Sequence, residues 1–186
     1  MLMIQPIQPG AVPLRQIDAR TLCGDTVSVR IGRSGLSLSY TPIGSALWRN
    51  FDPSPRAIDA FDGCLRGSVV LGAYRDERLV GLAAAADGGR GWCEILDLRV
   101  DTSCRLRETG RTLLDACRRF AERGGMVGLT MAVSDANPAM CQFAEHCGFR
   151  LEGMDRLALA QTPEERVKPM MRRACELYFY LLNEKG

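Results

Sequence analysis

Apolar and polar residues alternate with a period of two in residues 26–31 and 36–40. These segments flank Gly32, Arg33, Ser34 and Gly35, a sequence typical of a tight turn, and together they predict a β-hairpin. Before the hairpin, residues 12–22 predict a short helix that follows an irregular start. The first part of the chain is therefore expected to hold one helix and one hairpin.

A second helix is predicted to begin at Ser54 and Pro55. Serine is a favoured N-cap, and proline suits the first helical position because the N–H group it lacks would have no helical partner there. Gly67 is expected to end this helix. Its apolar stripe comprises Ala57, Ile58, Phe61 and Leu65.

Three apolar runs then predict three strands. Residues 68–74 and 79–86 are separated by the charged residues 75–78, which predicts an antiparallel hairpin. Residues 87–91 are rich in glycine and predict a turn. Residues 92–100 are the third run, so this part of the chain is expected to form sheet.

An arginine-rich segment, residues 105–111, leads from the third run into an amphipathic helix. A helix start in such a segment can bind anions, because its first N–H groups have no partner within the helix. A solvated surface connection is the alternative for the segment taken alone. Gly124 and Gly125 are expected to end the helix. Its apolar residues are Leu113, Leu114, Cys117, Phe120 and Ala121.

Residues 126–133 predict a strand that leads into another helix. Asn137 and Pro138 predict the start of that helix, and Gly148 predicts its end. The residues expected to face the core at helical spacing are Met140, Phe143 and Cys147.

Residues 156–160 and 175–182 predict two final strands, separated by the polar residues 161–173. Strands and helices that alternate in this way predict a mixed sheet with helices on both faces. At 186 residues the chain can bury one sizeable core, so a single domain is expected.

Composition excludes several classes of protein. The 24 basic and 22 acidic residues leave a formal net charge of +2, which provides no global field to attract nucleic acid or an anionic membrane. No apolar window approaches about 18 residues and no basic export signal is evident, so a cytoplasmic protein is expected. The eight cysteines lack C-x-x-C spacing and are interpreted as reduced core thiols. With His146 as the only histidine, no metal site is expected.

Residues 69–182 resemble the GNAT family of N-acetyltransferases, and most of all its streptothricin acetyltransferase branch. The cofactor motif of the family is Arg or Gln, two residues, Gly, one residue, and Gly or Ala. Arg105, Glu108 and Gly110 stand at these places. Before the motif, residues 95–100 are similar to the strand whose backbone pairs with the pantetheine arm in the family.

The helix that begins at Asn137 carries a further match. Asn137, Phe143 and residues 147–149 fit the family pattern Asn…Phe-Tyr-x-x-Cys-Gly-Phe, except that Ala144 takes the place of the tyrosine. Residues 176–182 resemble the last strand of the branch.

The resemblance implies the GNAT acyltransferase fold, an α/β (α+β) fold with a mixed, mostly antiparallel sheet of about seven strands and helices on both faces. Residues 1–67 would form a substrate-side part and residues 68–182 the cofactor-binding core. The implied cofactor-binding residues are Leu98, Arg99, Val100, Arg105, Leu106, Arg107, Glu108, Thr109, Gly110, Arg111, Asn137, Met140 and Phe143.

The reaction that the resemblance implies is transfer of an acetyl group from acetyl-CoA, as co-substrate, to a primary amine by direct attack. The amine would belong to a small molecule, such as an aminoglycoside- or streptothricin-like antibiotic, or to a peptide. No metal, nucleic acid or membrane is expected to take part, and a homodimer is left open.

Two acidic residues before the arginine-rich segment, Asp97 and Glu94, are the candidate catalytic bases. Side chains of a regular strand alternate, so these two would point to opposite faces and only one could face the acceptor. The resemblance favours Asp97, and a structural role for Asp97, bonded to neighbouring backbone, is the alternative. Because Ala144 has no proton to donate, Cys141, Ser134 or water is left as general acid.

Glu108 replaces a motif glycine and brings a carboxylate toward phosphate charge, at a cost of about 1–4 kcal/mol if the charges stood ~4 Å apart. That cost disappears if the side chain turns to solvent or pairs with Arg105 or Arg107. Together with Ala144, Glu108 motivates an alternative function, a catalytically inactive member that keeps the fold as a ligand-binding or dimerisation module.

Overall fold

The computed structural model describes residues 1–11, 16–104, 107–156 and 174–183. Within these residues the chain forms nine strands and three α-helices. In chain order they are β1 (Leu2–Pro6), β2 (Thr21–Gly32), β3 (Gly35–Arg49), α1 (Pro55–Phe61), β4 (Ser68–Arg75), β5 (Arg78–Asp87), β6 (Trp92–Val100), α2 (Arg107–Arg123), β7 (Gly128–Ser134), α3 (Pro138–His146), β8 (Arg150–Asp155) and β9 (Glu176–Leu182).

Seven strands form one sheet in the order β1-β4-β5-β6-β7-β9-β8, and β2 pairs with β3 as a separate antiparallel hairpin. The pairs β1–β4, β4–β5, β5–β6 and β8–β9 are antiparallel. The predicted fold class, a mostly antiparallel mixed α/β sheet, is therefore confirmed.

The chain divides into two compact units. The described residues of unit 1 come from Met1–Arg20, Asn50–Thr130 and Leu182–Gly186. Those of unit 2 come from Thr21–Arg49 and Met131–Leu181. Unit 1 therefore holds α1, α2 and strands β1, β4, β5 and β6, whereas unit 2 holds the β2–β3 hairpin, α3, β8 and most of β9.

In unit 1, helices cover both faces of β5. Leu82 and Ala84 join the buried cluster that contains Ala60 and Phe61 of α1. Gly81 lies on the opposite face, because a Cβ there would stand 3.0 Å from Leu113 of α2. The buried members of the α1 cluster are Ile17, Ala60, Phe61, Val70, Leu79, Leu82 and Ala84.

Both predicted hairpins are confirmed. In the first, Gly32 pairs with Gly35. In the second, Asp76 and Glu77 form the turn, with φ of 50° and 66°. Two consecutive residues with positive φ are typical of the type I′ turn, whose twist matches that of the flanking strands.

Helix α1 begins as predicted but ends early. Ser54 Oγ accepts a hydrogen bond from the N–H of Ala57 at 3.1 Å. The helix ends at Phe61 rather than near Gly67, because the chain turns at Gly63 with φ of +76°. Ile58, assigned to the apolar stripe, is 41% exposed, so that assignment was wrong.

Two strands were missed. The start of the chain is not irregular, because β1 pairs with β4. The helix predicted over residues 12–22 is wrong at its C-terminal end, where β2 begins at Thr21, and residues 12–15 lie outside the described residues. Strand β8 was not predicted, and residues 157–173, which include most of the predicted strand 156–160, also lie outside the described residues.

The helices α2 and α3 each differ from prediction in one respect. Helix α2 begins at Arg107, so residues 107–111 are its first turns rather than a loop. In α3 the buried face contains Pro138, Cys141 and Ala144. The residues predicted to face the core, Met140, Phe143 and Cys147, are only half-buried, which means that the helix is rotated relative to the prediction.

The cysteines are free thiols, and their predicted burial holds for most of them. Cys64 is exposed, whereas Cys104 and Cys147 are half-buried. The buried cysteines are Cys23, Cys93, Cys117, Cys141 and Cys175.

Candidate active site

A β-bulge in β6 places both candidate bases on one face. The register between β5 and β6 shifts at one point, where Leu96 has no partner of its own. Such an extra residue reverses the alternation of faces beyond it. Asp97 pairs with Ala84 and Glu94 with Ala86, two residues that share a face of β5. The prediction that the two acids point to opposite faces was therefore wrong.

Each of these carboxylates is held by an arginine. Asp97 accepts hydrogen bonds from Arg99 Nε at 2.5 Å and Nη2 at 2.8 Å, and both side chains are only 12% exposed. Glu94 accepts from Nη1 of Arg56, on α1, at 2.5 Å. The contact with Arg56 places this acidic face of β6 on the side of α1.

The other candidate residues of β6 divide between the two faces. Leu98 and Val100 lie opposite Ala83 and Gly81, on the face that α2 covers. Arg99 lies on the α1 face with Asp97. All three are half-buried, so their side chains are partly accessible.

The chain leaves β6 through a 3-10 turn, Thr102–Cys104, that is built around Asp101. The Asp101 carboxylate accepts from the N–H and Oγ of Ser103, at 3.0 and 2.5 Å. Burial alone would raise the pKa of Asp101. The bonds from Ser103 and the charge of Arg78 outweigh that effect and hold the pKa below its ordinary value.

Helix α2 follows, and its first turn has the features of an anion site. The first N–H groups of an α-helix have no partner within the helix and carry the positive end of its dipole. Thr109 is fully buried, and among the described residues its Oγ1 has no hydrogen-bond partner. Gly110 is buried and has no side chain to obstruct an approaching group.

Glu108 does not cover this turn. Its side chain is 69% exposed, and its carboxylate lies 3.9 Å from Nη2 of Arg75, at the end of β4. Glu108 therefore turns to solvent, which is one of the two predicted outcomes. Arg105 and Leu106 lie outside the described residues, as does the side chain of Arg107.

The start of α2 offers its first N–H groups to an anion such as a pyrophosphate, and the one carboxylate of the turn points into solvent. The Thr109 hydroxyl is fully buried and is therefore not itself exposed to a ligand. Arg111, one residue further along the helix, is exposed.

In unit 2, α3 begins with the predicted cap. Asn137 is buried, and its Oδ1 accepts from the N–H of Met140 at 3.1 Å. Met140 and Phe143 are half-buried. The structure thus accounts for Asn137 as a helix cap, and cofactor contact by these three residues stays a prediction.

The two side chains proposed as general acid, Cys141 and Ser134, also lie in unit 2. Ala144 is fully buried, and Cys141 beside it donates to the carbonyl of Ser134 at a sulfur–oxygen distance of 3.8 Å. Burial, with the negative charges of Asp135 and Glu145, raises the pKa of the Cys141 thiol to about 12. The Cys141 thiol is therefore neutral at physiological pH and is a weak acid.

Two titratable groups of unit 2 were not found from the sequence. The Tyr40 hydroxyl donates to Oε2 of Glu145 at 2.6 Å, and burial with this bond raises the pKa of Tyr40. The Asp135 carboxylate accepts from the N–H of Cys175 at 2.9 Å, and burial raises its pKa. Glu145 is distant in sequence from Tyr40, and Cys175 from Asp135, so the local spacing of residues does not indicate either contact.

In the part of the chain that the structure describes, no three His, Cys, Asp or Glu residues are grouped as metal ligands. No helix among the same residues is long and apolar enough to cross a membrane.

The sequence profile of the acetyltransferase (GNAT) family matches residues 40–149, more than half of the chain. The chain belongs to the GNAT family of acetyltransferases. The match includes the bulged strand β6, the start of α2 and the cap of α3, so the resemblance seen in the sequence is confirmed. No curated protein sequence matches this GNAT chain significantly.

Solved GNAT structures share its fold over nearly the whole length. A Bacillus anthracis str. Ames protein assigned as a streptothricin acetyltransferase, solved with acetyl coenzyme A, is 18% identical, with a TM-score of 0.77 over 99% of this chain and 98% of that one. Nourseothricin acetyltransferase is 20% identical, with a TM-score of 0.75 over 97% and 98%. The IAA acetyltransferase from Bacillus cereus ATCC 14579 is 15% identical, with a TM-score of 0.67 over 98% and 100%. At these identities the likeness establishes the fold.

Proposed function

We propose that this GNAT protein transfers the acetyl group of acetyl-CoA to a primary amine by direct attack, without a covalent enzyme intermediate. The observation that carries the proposal is the first turn of α2. There the first N–H groups of the helix have no helical partner, and Glu108, the carboxylate of this turn, points into solvent. A pyrophosphate would satisfy these N–H groups.

The first turn of α2 would hold the pyrophosphate through main-chain N–H groups. Arg105, Leu106 and the Arg107 side chain would add to this site by resemblance alone. Leu98 and Val100 would align the thioester by backbone pairing, as the resemblance implies for the strand that β6 matches.

Asp97 would act as the general base. When the amine nitrogen attacks the thioester carbon, the carbon–sulfur bond breaks and the amine releases a proton that the carboxylate can take up. Arg99 holds the plane of that carboxylate by two hydrogen bonds. Glu94, bound to Arg56 of α1, would position the acceptor or orient α1 against the strand.

The departing thiolate needs a proton, and Ala144 cannot supply it. Water would do so, because the raised pKa of the buried Cys141 thiol makes it a weak acid. A positioned acid typically contributes on the order of 10²- to 10⁴-fold to a rate, so its replacement by water slows turnover without preventing transfer.

The acceptor class to test first is a streptothricin-type antibiotic, because two structural neighbours are named for such acceptors. Aminoglycosides and peptide amines complete the panel. Release of free thiol from acetyl-CoA would identify the acceptor.

Titration calorimetry with acetyl-CoA tests the binding step. We expect saturable binding by the wild type and a loss of at least about tenfold in affinity for Gly110→Val, since a side chain there blocks approach to the backbone. Gly44→Val is the matched control, because a Cβ at residue 44 meets nothing within 4 Å. No binding by the wild type at millimolar acetyl-CoA would overturn the proposal. Binding without thiol release for any amine would favour the inactive ligand-binding module.

A further inference from the structure

A β-bulge at Val80 determines which side chains the end of the β4–β5 hairpin presents to each face of the sheet. Ala73 pairs with Gly81 and Tyr74 with Leu79, so Val80 has no partner of its own on β4. Gly81 faces α2, whereas Leu79 belongs to the buried cluster under α1. The extra residue therefore reverses the alternation of faces between Gly81 and Leu79.

This reversal places two arginines on the α2 face of the sheet. Arg75 ends β4 and Arg78 begins β5, and the two residues pair directly. Leu79 and its partner Tyr74 both pack in the α1 cluster. Their neighbours Arg78 and Arg75 point to the other face, because side chains alternate along a strand. Like charges directly opposite each other destabilise a sheet, so stability does not explain this pair.

The two arginines meet different groups at the end of the sheet where α2 begins. Arg78 Nη2 lies 3.5 Å from both oxygens of the Asp101 carboxylate and 3.4 Å from Ser103 Oγ. Arg75 Nη2 lies 3.9 Å from Oε2 of Glu108, in the first turn of α2. That separation is too long for a hydrogen bond. The Arg75 guanidinium therefore lies beside the first turn of α2 with its N–H groups turned to a carboxylate that does not bond them.

We propose that Arg75 is a phosphate-binding residue of the cofactor site, whose guanidinium donates hydrogen bonds to the pyrophosphate held by the first turn of α2. The proposal rests on the proposed function of that turn. Glu108 is the partner of Arg75 only in the absence of cofactor, and phosphate oxygens replace its carboxylate when acetyl-CoA binds.

The exchange of partners favours the phosphate for two reasons. A guanidinium presents several N–H donors in a fixed plane, which suits two phosphate oxygens at once. The Glu108 side chain is 69% exposed, and an ion pair to such a group contributes little that binding would have to replace. Arg75 itself is 31% exposed, so its bonds to phosphate are partly shielded from water. Arg75 and the helix start both belong to unit 1.

The test compares two thioesters, acetyl-CoA and acetylpantetheine, of which only the first carries the pyrophosphate. Their dissociation constants are measured on wild type, Arg75→Gln, Arg75→Lys and Arg78→Gln. We expect Arg75→Gln to weaken acetyl-CoA about tenfold, the loss of a charged hydrogen-bond donor, and to leave acetylpantetheine unchanged. Arg75→Lys should recover only part of the loss, because lysine keeps the charge without the planar donors.

Arg78→Gln is the matched control, since it removes the same charge from the directly opposite position, where the guanidinium faces Asp101. Its loss of affinity for acetyl-CoA should stay below about threefold. The Tm of each variant without ligand shows that the fold is intact.

Three results overturn the inference about Arg75. They are unchanged affinity of Arg75→Gln for acetyl-CoA, an equal loss for both thioesters, and an equal loss in Arg75→Gln and Arg78→Gln, which would indicate a general effect of charge. A wild type that does not bind acetyl-CoA at all refutes the proposed function instead, so the two failures are distinguishable.

Discussion

Glu94 and Asp97 lie on the same face of β6, each bound to its own arginine, because Leu96 interrupts the alternation of the strand. A β-bulge of this kind turns the side chains that follow it to the other face of the strand. Both acids therefore remain candidates by position, and their partners distinguish them. Asp97 receives two hydrogen bonds from Arg99, a half-buried neighbour on its own strand, whereas Glu94 links the strand to α1.

We expect Asp97→Asn to lower kcat by on the order of 10²- to 10⁴-fold, because it removes the proton acceptor and keeps the shape of the side chain. Glu94→Gln should lower kcat by less than about tenfold, since its partner Arg56 still finds an acceptor oxygen. Thiol release at saturating acetyl-CoA, with an acceptor from the amine panel, measures both. Equal losses in the two variants would contradict the assignment of the base.

Glu108→Gln should tighten the binding of acetyl-CoA by roughly two- to fivefold at low ionic strength, because it removes one exposed negative charge near the phosphates. The gain should shrink as salt is added, since exposed charges are screened. Glu122→Gln, an exposed position near the opposite end of α2, is the control. Calorimetric titrations at two salt concentrations measure the effect, and a salt-independent change would argue against an electrostatic origin.

Asp135→Asn should stabilise the protein at neutral pH. Burial raises the pKa of Asp135 above its ordinary 3.8, so the folded state holds the proton more tightly than the unfolded state. That contribution to stability is complete below pH 3.8 and is lost as the pH rises through the raised pKa.

Thermal denaturation of wild type and Asp135→Asn across the acidic range measures this effect. The difference in Tm should be small at the lowest pH and should grow in favour of the variant as the pH rises. Asp52→Asn, on an exposed loop residue, should show no such trend. A variant less stable than wild type at neutral pH would mean that the bond to the N–H of Cys175 outweighs the burial of charge.

Gly81→Ala should cost about 1–3 kcal/mol of unfolding free energy, because the new methyl group overpacks the contact between β5 and α2. A Cβ at this position would stand 3.0 Å from Leu113, 3.2 Å from Thr109 and 3.3 Å from the carbonyl of Arg99. Gly44→Ala, in open space on β3, is the control. Urea denaturation measures both, and equal stability of the two variants would contradict the close packing.

Local signals in the sequence predicted most of the elements. Ser54 with Pro55 and Asn137 with Pro138 predicted both capped helix starts, since a cap depends on a few neighbouring residues. The apolar runs on either side of the charged residues 75–78 predicted the β4–β5 hairpin for the same reason. Such features need no knowledge of the rest of the fold.

Features that depend on distant partners were not predicted. The bulge at Leu96 exists only in relation to the register with β5, and no residue of β6 signals it. Glu108 of α2 lies near Arg75 of β4, a residue distant in sequence. The short strand β1 has little periodicity of its own and is defined by its pairing with β4.

The central claim is that the first turn of α2 binds the pyrophosphate of acetyl-CoA, and amide chemical shifts of isotope-labelled protein test it most directly. On titration with acetyl-CoA we expect saturable shifts concentrated in the amides of residues 107–110, and much smaller shifts there with acetylpantetheine at the same degree of saturation. Unchanged amides in this turn while acetyl-CoA binds elsewhere, or no shift anywhere at millimolar acetyl-CoA, would contradict the claim.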